Sequence, residues 1–148
     1  MDKKDLEKSL QDIIEICKDG VQGYETASNN IEFADLKTLF LRLSQQRKLF
    51  IEETKDEALK LGIELDISGT IKGFFHRQWL ATKATFNADT NEKVIKESMT
   101  GEKAALDVYN KILSNNNIPK YLHDILAEQQ RLIKVAIHQL NDLKSTVE

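Results

Sequence analysis

A chain of 148 residues with 41% apolar and 30% charged side chains, six glycines and one proline has the composition of one helical domain with a sizeable core, unlike disordered, collagen-like or disulfide-scaffold chains. Its 24 acids and 21 bases leave a net charge of -3 and are spread without blocks, so no nucleic-acid partner is expected. A single cysteine rules out an internal disulfide, and the charged opening MDKKDLEKSL has no apolar stretch of signal-peptide or membrane-span length, so the expected setting is a reducing cytoplasm.

Leu6, Leu10, Ile13, Cys17, Val21 and Tyr24 recur at steps of three and four, which predicts one helix with a buried stripe, ending at Ser28-Asn29-Asn30. Leu36, Phe40, Leu43, Phe50, Ala58 and Leu61 continue the same steps through Gln46, Arg47 and Thr54, and Gly62 is placed to stop that helix as a C-terminal cap. The short connection makes the two an antiparallel hairpin, about residues 3–62. A second hairpin, about 91–146, follows from Ile95, Met99, Glu102, Ala105, Tyr109 and Ile112, a turn at 114–119, and Leu122, Ile125, Gln129, Leu132, Ala136, Leu140 and Leu143. Pro119 suits the first turn of the last helix, where its missing N–H is not needed. No segment carries the alternation of a strand, so the fold class is all-α.

Residues 63–90 join the hairpins, and 70–87 are rich in aromatics (Phe74, Phe75, Trp79, Phe86). A helix of roughly 18 residues rises about 27 Å, enough for a long crossover, with Asp89 or Thr90 capping the helix after it. Packing of these aromatics on the bundle, with Lys72, Arg77 and Lys83 solvated, is the expected arrangement. Contact of this face with a membrane is the less favoured one.

Each apolar seam is interrupted once near its middle, by Cys17, Gln46, Glu102 and Gln129. In an antiparallel pair, residues equidistant from the turn lie at one height. Cys17 and Gln46 are centred beside the first turn, and Glu102 and Gln129 inside the second, so all four converge on one central layer. Cys17 and Glu102 also each precede a tyrosine, Tyr24 and Tyr109, by seven positions, a faint internal repeat of two hairpins.

The run Gly101-Glu102-x-x-Ala105-x-x-x-Tyr109 resembles the third helix of rubrerythrin and other ferritin-like proteins, and Cys17 to Tyr24 with Ala27 resembles their first. The whole chain, including Cys17-Lys18-Asp19-Gly20, Gln45-Gln46-Arg47, His76-Arg77-x-Trp79 and Gly101-Glu102, is similar to a bacterial family of ferritin-like four-helix-bundle proteins of unknown function. The resemblance implies a ferritin-like bundle of 1–148 as a single domain. A di-metal carboxylate centre of that kind wants a Glu on the first and third helices and E-x-x-H on the second and fourth, because i and i+3 share a face.

Here the first position holds Cys17, the second motif reads Gln45-x-x-Lys48 or Gln46-x-x-Leu49, and the fourth reads Glu128-x-x-Arg131 or Gln129-x-x-Leu132. Only Glu102, with Glu128 at best, survives as a carboxylate. Two divalent ions carry about four positive charges into a low-dielectric interior, which this set does not offset. No cofactor is therefore expected. If iron, manganese or zinc binds, Cys17, Glu102 and Glu128 are the candidate ligands.

A buried Glu102 instead calls for donors, and Gln46, Gln129 and Arg47 carry them. The expected arrangement is a buried polar layer of Cys17, Gln46, Arg47, Glu102, Gln129, Tyr24 and Tyr109. On that reading Glu102→Gln is mild and Gln46→Leu costs roughly 1–3 kcal/mol. Cys17 has no histidine on the seams to activate it and reads as a small buried thiol. His76, His123 and His138 define no metal motif and are expected at boundary or surface positions. The function that follows is a non-catalytic interaction or stress-associated protein, acting as a homo-oligomer or on another protein. The alternative is a metal-binding protein or oxidoreductase with an unorthodox centre.

Overall fold

Period and capping translate into helices in the computed structural model, which describes residues 2–68 and 91–147. Asp2 opens helix α1 (Lys3–Asn30), its side chain accepting a hydrogen bond from the Asp5 N–H at 2.8 Å, the usual service of an N-cap aspartate. Helix α2 (Ala34–Lys60) follows after only three residues, and Ile31 in that turn is buried. At its end Gly62 takes φ +75° while the Ile63 and Gly62 amides bond back to the Ala58 and Leu59 carbonyls. This is the crossed closure that a left-handed glycine permits. Ile63 then folds inward beside Ala58.

The second hairpin is α3 (Asn91–Leu113) and α4 (Lys120–Val147). The Pro119 carbonyl accepts the first helical bond of α4, from the His123 N–H. Proline therefore stands at the cap rather than one residue inside, a one-residue shift of the expected boundary. Helix α1 packs on α2 and α3, and α4 on α3 and α2, leaving α1/α4 and α2/α3 across the diagonals. The Lys60 ammonium sits 5.3 Å above the Tyr121 ring, so the end of α2 meets the start of α4 and that pair is antiparallel. No strand occurs among the described residues. The predicted crossover helix, its cap at Asp89 or Thr90, and His76 lie outside the described residues.

Two apolar clusters fill the bundle. One gathers Leu10, Ile13, Phe50, Ile112, Leu126 and Ile133 with their neighbours, and the other Tyr24, Leu36, Phe40, Ile95, Ala136 and Leu140 with theirs. The buried stripe of α4 is Leu122, Leu126, Gln129, Ile133, Ala136 and Leu140. Ile125, Leu132 and Leu143, expected on that stripe, are only partly buried. The observed steps of four, three, four, three and four keep one heptad seam facing the partner helices. Ile125 and Leu132 are each one position away, which turns them about 100° around the helix.

Candidate functional site

The packing of the bundle puts Arg47 of α2 and Glu102 of α3 on facing sides of the interior. The guanidinium Nη1 and Nη2 donate to Glu102 Oε1 and Oε2 at 2.6 and 2.5 Å, with the two side chains 2% and 1% exposed. Such a two-pronged pair across a dry interior is the strong form of the carboxylate–guanidinium contact. Burial works against the charged guanidinium, but the charge and hydrogen bonds of Glu102 outweigh it and hold the arginine above its ordinary pKa. Arg47 is also flanked by the rings of Tyr24 and Phe50, 5.8 and 5.7 Å from their centroids, the distance at which a cation still feels the aromatic face.

Gly20 makes room for this arrangement. A Cβ there would stand 3.3 Å from Arg47 Cγ, so the first helix approaches the arginine stem because it has no side chain at that point. Gln46 is half-buried, and its Oε1 accepts from Arg47 Nε at 3.3 Å. Of the three expected donors Arg47 is the one that meets Glu102, while Gln46 supports it from the edge instead of donating to the carboxylate. One position around a helix is enough to separate them, and the longer side chain reaches the centre.

Gln129 belongs to a second set of polar side chains. Its Oε1 accepts from the Tyr109 hydroxyl at 2.7 Å and from Thr54 at 3.5 Å, while its amide nitrogen lies 3.3–3.4 Å from Glu53 Oε1, Thr54 Oγ1 and the Phe50 carbonyl. Cys17 Sγ lies 3.5 Å from the Tyr109 hydroxyl. Burial pushes the Cys17 thiol up to about 11, which keeps it protonated and unreactive at neutral pH. Burial likewise raises the Tyr24 and Tyr109 phenols, with Glu102 adding to the effect at Tyr24 and Cys17 at Tyr109. Tyr24 stacks obliquely on Phe40, with centroids 5.3 Å apart.

Of the candidate metal ligands, Cys17 and Glu102 are interior and Glu128 is not. Glu128 is 55% exposed and binds Arg131 through its own helix surface. His123 is partly exposed beside Asp124, and His138 is exposed. No group of three or more histidine, cysteine, aspartate or glutamate side chains suited to a metal occurs among the described residues. A ferritin-type metal pair does not fit the residues at the centre: both Glu102 oxygens are engaged by a fixed cation, and the Gln129 oxygen already accepts from two hydroxyls.

One buried acid escaped the spacing. Asp19 is 1% exposed, and among the described residues neither carboxylate oxygen has a hydrogen-bond partner. Burial, with Glu15 adding to it and Lys18 opposing, pushes its pKa up to about 7. Asp19 lies off the apolar seam of α1, so no periodicity marks it.

With this geometry in view, comparison with known proteins is specific about the fold. The family model described as "Domain of unknown function (DUF2383)" matches residues 5–115. No curated protein sequence matches the chain significantly. A solved structure described as a dodecameric thioferritin, the bacterioferritin-related protein from Bacteroides fragilis, superposes with a TM-score of 0.78 at 15% identity, covering 99% of this chain and 88% of that one. At that identity the likeness concerns the fold, which is a ferritin-like four-helix bundle. No helix among the described residues is long and apolar enough to cross a membrane.

Proposed function

The chain belongs to the DUF2383 family, and for this member we propose a non-catalytic role: a ferritin-like bundle, acting as one domain in the cytoplasm, whose centre is closed by an ion pair and whose surface carries out an interaction or stress-associated function. The observation that carries this reading is that Arg47 engages both oxygens of Glu102 in a buried, two-pronged contact. A guanidinium delivers a single positive charge and five donors but accepts nothing and offers no open coordination position. The remaining polar side chains of the layer, Cys17, Gln46, Gln129, Tyr24 and Tyr109, fix the register of the helices around that pair, the best-attested use of buried polar groups. The dodecameric state in the description of the thioferritin neighbour supports assembly of this chain from several copies.

Metal content decides the matter. Untagged protein is measured by mass spectrometry as purified and after anaerobic incubation with iron, manganese or zinc followed by desalting. The expected result is only trace metal in each case. Near-stoichiometric metal in the wild type that is lost in Glu102→Ala would overturn the proposal and establish a metalloprotein with an unorthodox centre.

A further inference from the structure

Helices α2 and α4 present an apolar groove to the outside. Leu41 and Leu49 stand 46% and 58% exposed on α2, and Tyr121 67% exposed on α4, with Ile125 and Leu132 lining the floor between them. Leu41, Gln45 and Leu49 repeat every four residues and so form one stripe. Scattered exposed leucines are ordinary, but two leucines on one face of α2, with Gln45 between them, that share a groove with apolar side chains of α4 mark an interaction site. It is here that the α4 seam leaves Ile125 and Leu132 out of the core.

We propose that this groove is an isologous interface with a second copy of the chain, the two α2/α4 faces packing antiparallel about a two-fold axis near Leu49. The charges left unpaired identify the occupant, since the groove's other acids are held within their own helix, Asp124 by Lys120 and Glu128 by Arg131. Arg42 lies at one end of the groove and Glu53 toward the other, 11 residues apart, about 16 Å along the helix. Among the described residues Arg42, which is exposed, has no ion-pair partner, and Glu53 meets the neutral amide of Gln129. A two-fold axis midway between them brings each Arg42 to the second copy's Glu53, so one symmetry element makes two complementary contacts.

The same axis brings apolar groups together. Gln129 sits at the height of Phe50, Glu53 and Thr54, so Leu132, one turn further along antiparallel α4, lies at the height of Leu49. Both meet their own copies at the centre. From Leu41 to Lys60, beside Tyr121, the face is about 28 Å long and about 20 Å wide for two helices. That is roughly 560 Å² per copy, or about 1,100 Å² in total, which clears the area a specific interface needs.

The inference deepens the assembly part of the proposed function and rests on that part alone. Metal content measured on the same samples reports on the centre and not on this face. The test is sedimentation equilibrium on the full chain across the micromolar range, with circular dichroism confirming that each variant is folded. Self-association is expected to weaken at least tenfold in Leu49→Glu. Arg42→Glu and Glu53→Arg should each weaken it, and the combined reversal should restore it. In the Leu49→Cys variant, a disulfide between copies should form under mild oxidation.

A monomer at every concentration would overturn the proposal and leave the groove to a different partner. Association that survives Leu49→Glu would place the interface elsewhere and overturn it as well. Failure of the combined reversal to restore what the single reversals lose would refute the antiparallel two-fold.

Discussion

Glutamine at position 102 would keep the shape of the side chain and remove its charge, leaving the Arg47 guanidinium buried at 2% exposure beside a neutral amide. Breaking a buried ion pair from one side typically costs about 3–5 kcal/mol, because the surviving charge has lost both water and partner. Against a typical domain stability of about 5–15 kcal/mol this is a large fraction. For a chain of this size each kcal/mol moves Tm by about 2–4 °C, so Glu102→Gln should lower Tm by about 6–20 °C. Arg47→Met should do comparable damage by stranding the carboxylate. The double variant Arg47→Met/Glu102→Leu removes both charges and fills the space with apolar atoms, a replacement that is often neutral or stabilising. Thermal melts and urea titrations of wild type, Arg47→Met, Glu102→Leu and this double variant therefore form a cycle with a coupling energy of several kcal/mol. A Tm for Glu102→Gln within about 2 °C of wild type, or a double variant as unstable as the sum of the singles, would refute the claim that these groups stabilise one another in a dry interior.

Gly20→Ala should depend on what stands opposite. With Arg47 held at its far end by Glu102, the added methyl would crowd Arg47 Cγ at 3.3 Å and the helical gain of about 1 kcal/mol should be cancelled or reversed, whereas in an Arg47→Met background the same change should stabilise. Urea midpoints in the two backgrounds read the sign directly. Asp19 stays protonated in the fold well above the ordinary carboxylate range, with a pKa pushed up to about 7. Its contribution to stability is therefore full below about pH 4 and is lost as pH rises through about 7. Asp19→Asn should gain on the wild type by about 2 kcal/mol between pH 4 and pH 8, after allowance for solvent screening, and a difference that stays flat over that interval would refute the assignment. Gln129→Leu strands the Tyr109 hydroxyl and should cost about 1–3 kcal/mol. The companion change Tyr109→Phe should recover part of that loss, as a chemical denaturation cycle would show.

Much of the fold was legible because buried stripes obey the helical period. Spacing alone puts Leu10, Ile13, Cys17 and Tyr24 in the interior, and all are buried. Gly62 marks a stop because a left-handed residue closes a helix in that way, and it has φ +75°. Spacing does not separate adjacent positions. Ile125 against Leu126 and Leu132 against Ile133 are chemically equivalent choices, and only the heptad continuity of 122 to 140 separates them. Gln46 against Arg47 is the same ambiguity with larger consequences. Of the three expected donors it is the cation, Arg47, that reaches Glu102, and the expected cost of Glu102→Gln rises accordingly. In the same way Gln46→Leu loses only one contact at the edge, 3.3 Å long, and is now expected to cost about 1 kcal/mol. The pairing of Arg47 with Glu102 depends on side-chain reach across a diagonal of the bundle, which no spacing in one dimension encodes.

The permanence of the Arg47 contact separates this bundle from one built around ions. A bound ion stabilises a fold by mass action, so such a fold weakens when the ion becomes scarce or a chelator competes for it. The guanidinium is covalently part of the chain, and its local concentration around Glu102 cannot be diluted, starved or stripped. Thermal stability should accordingly be indifferent to chelators and to the nutritional state of the cell. If the proposed role holds, a bundle of this design keeps the same shape in iron famine and iron plenty.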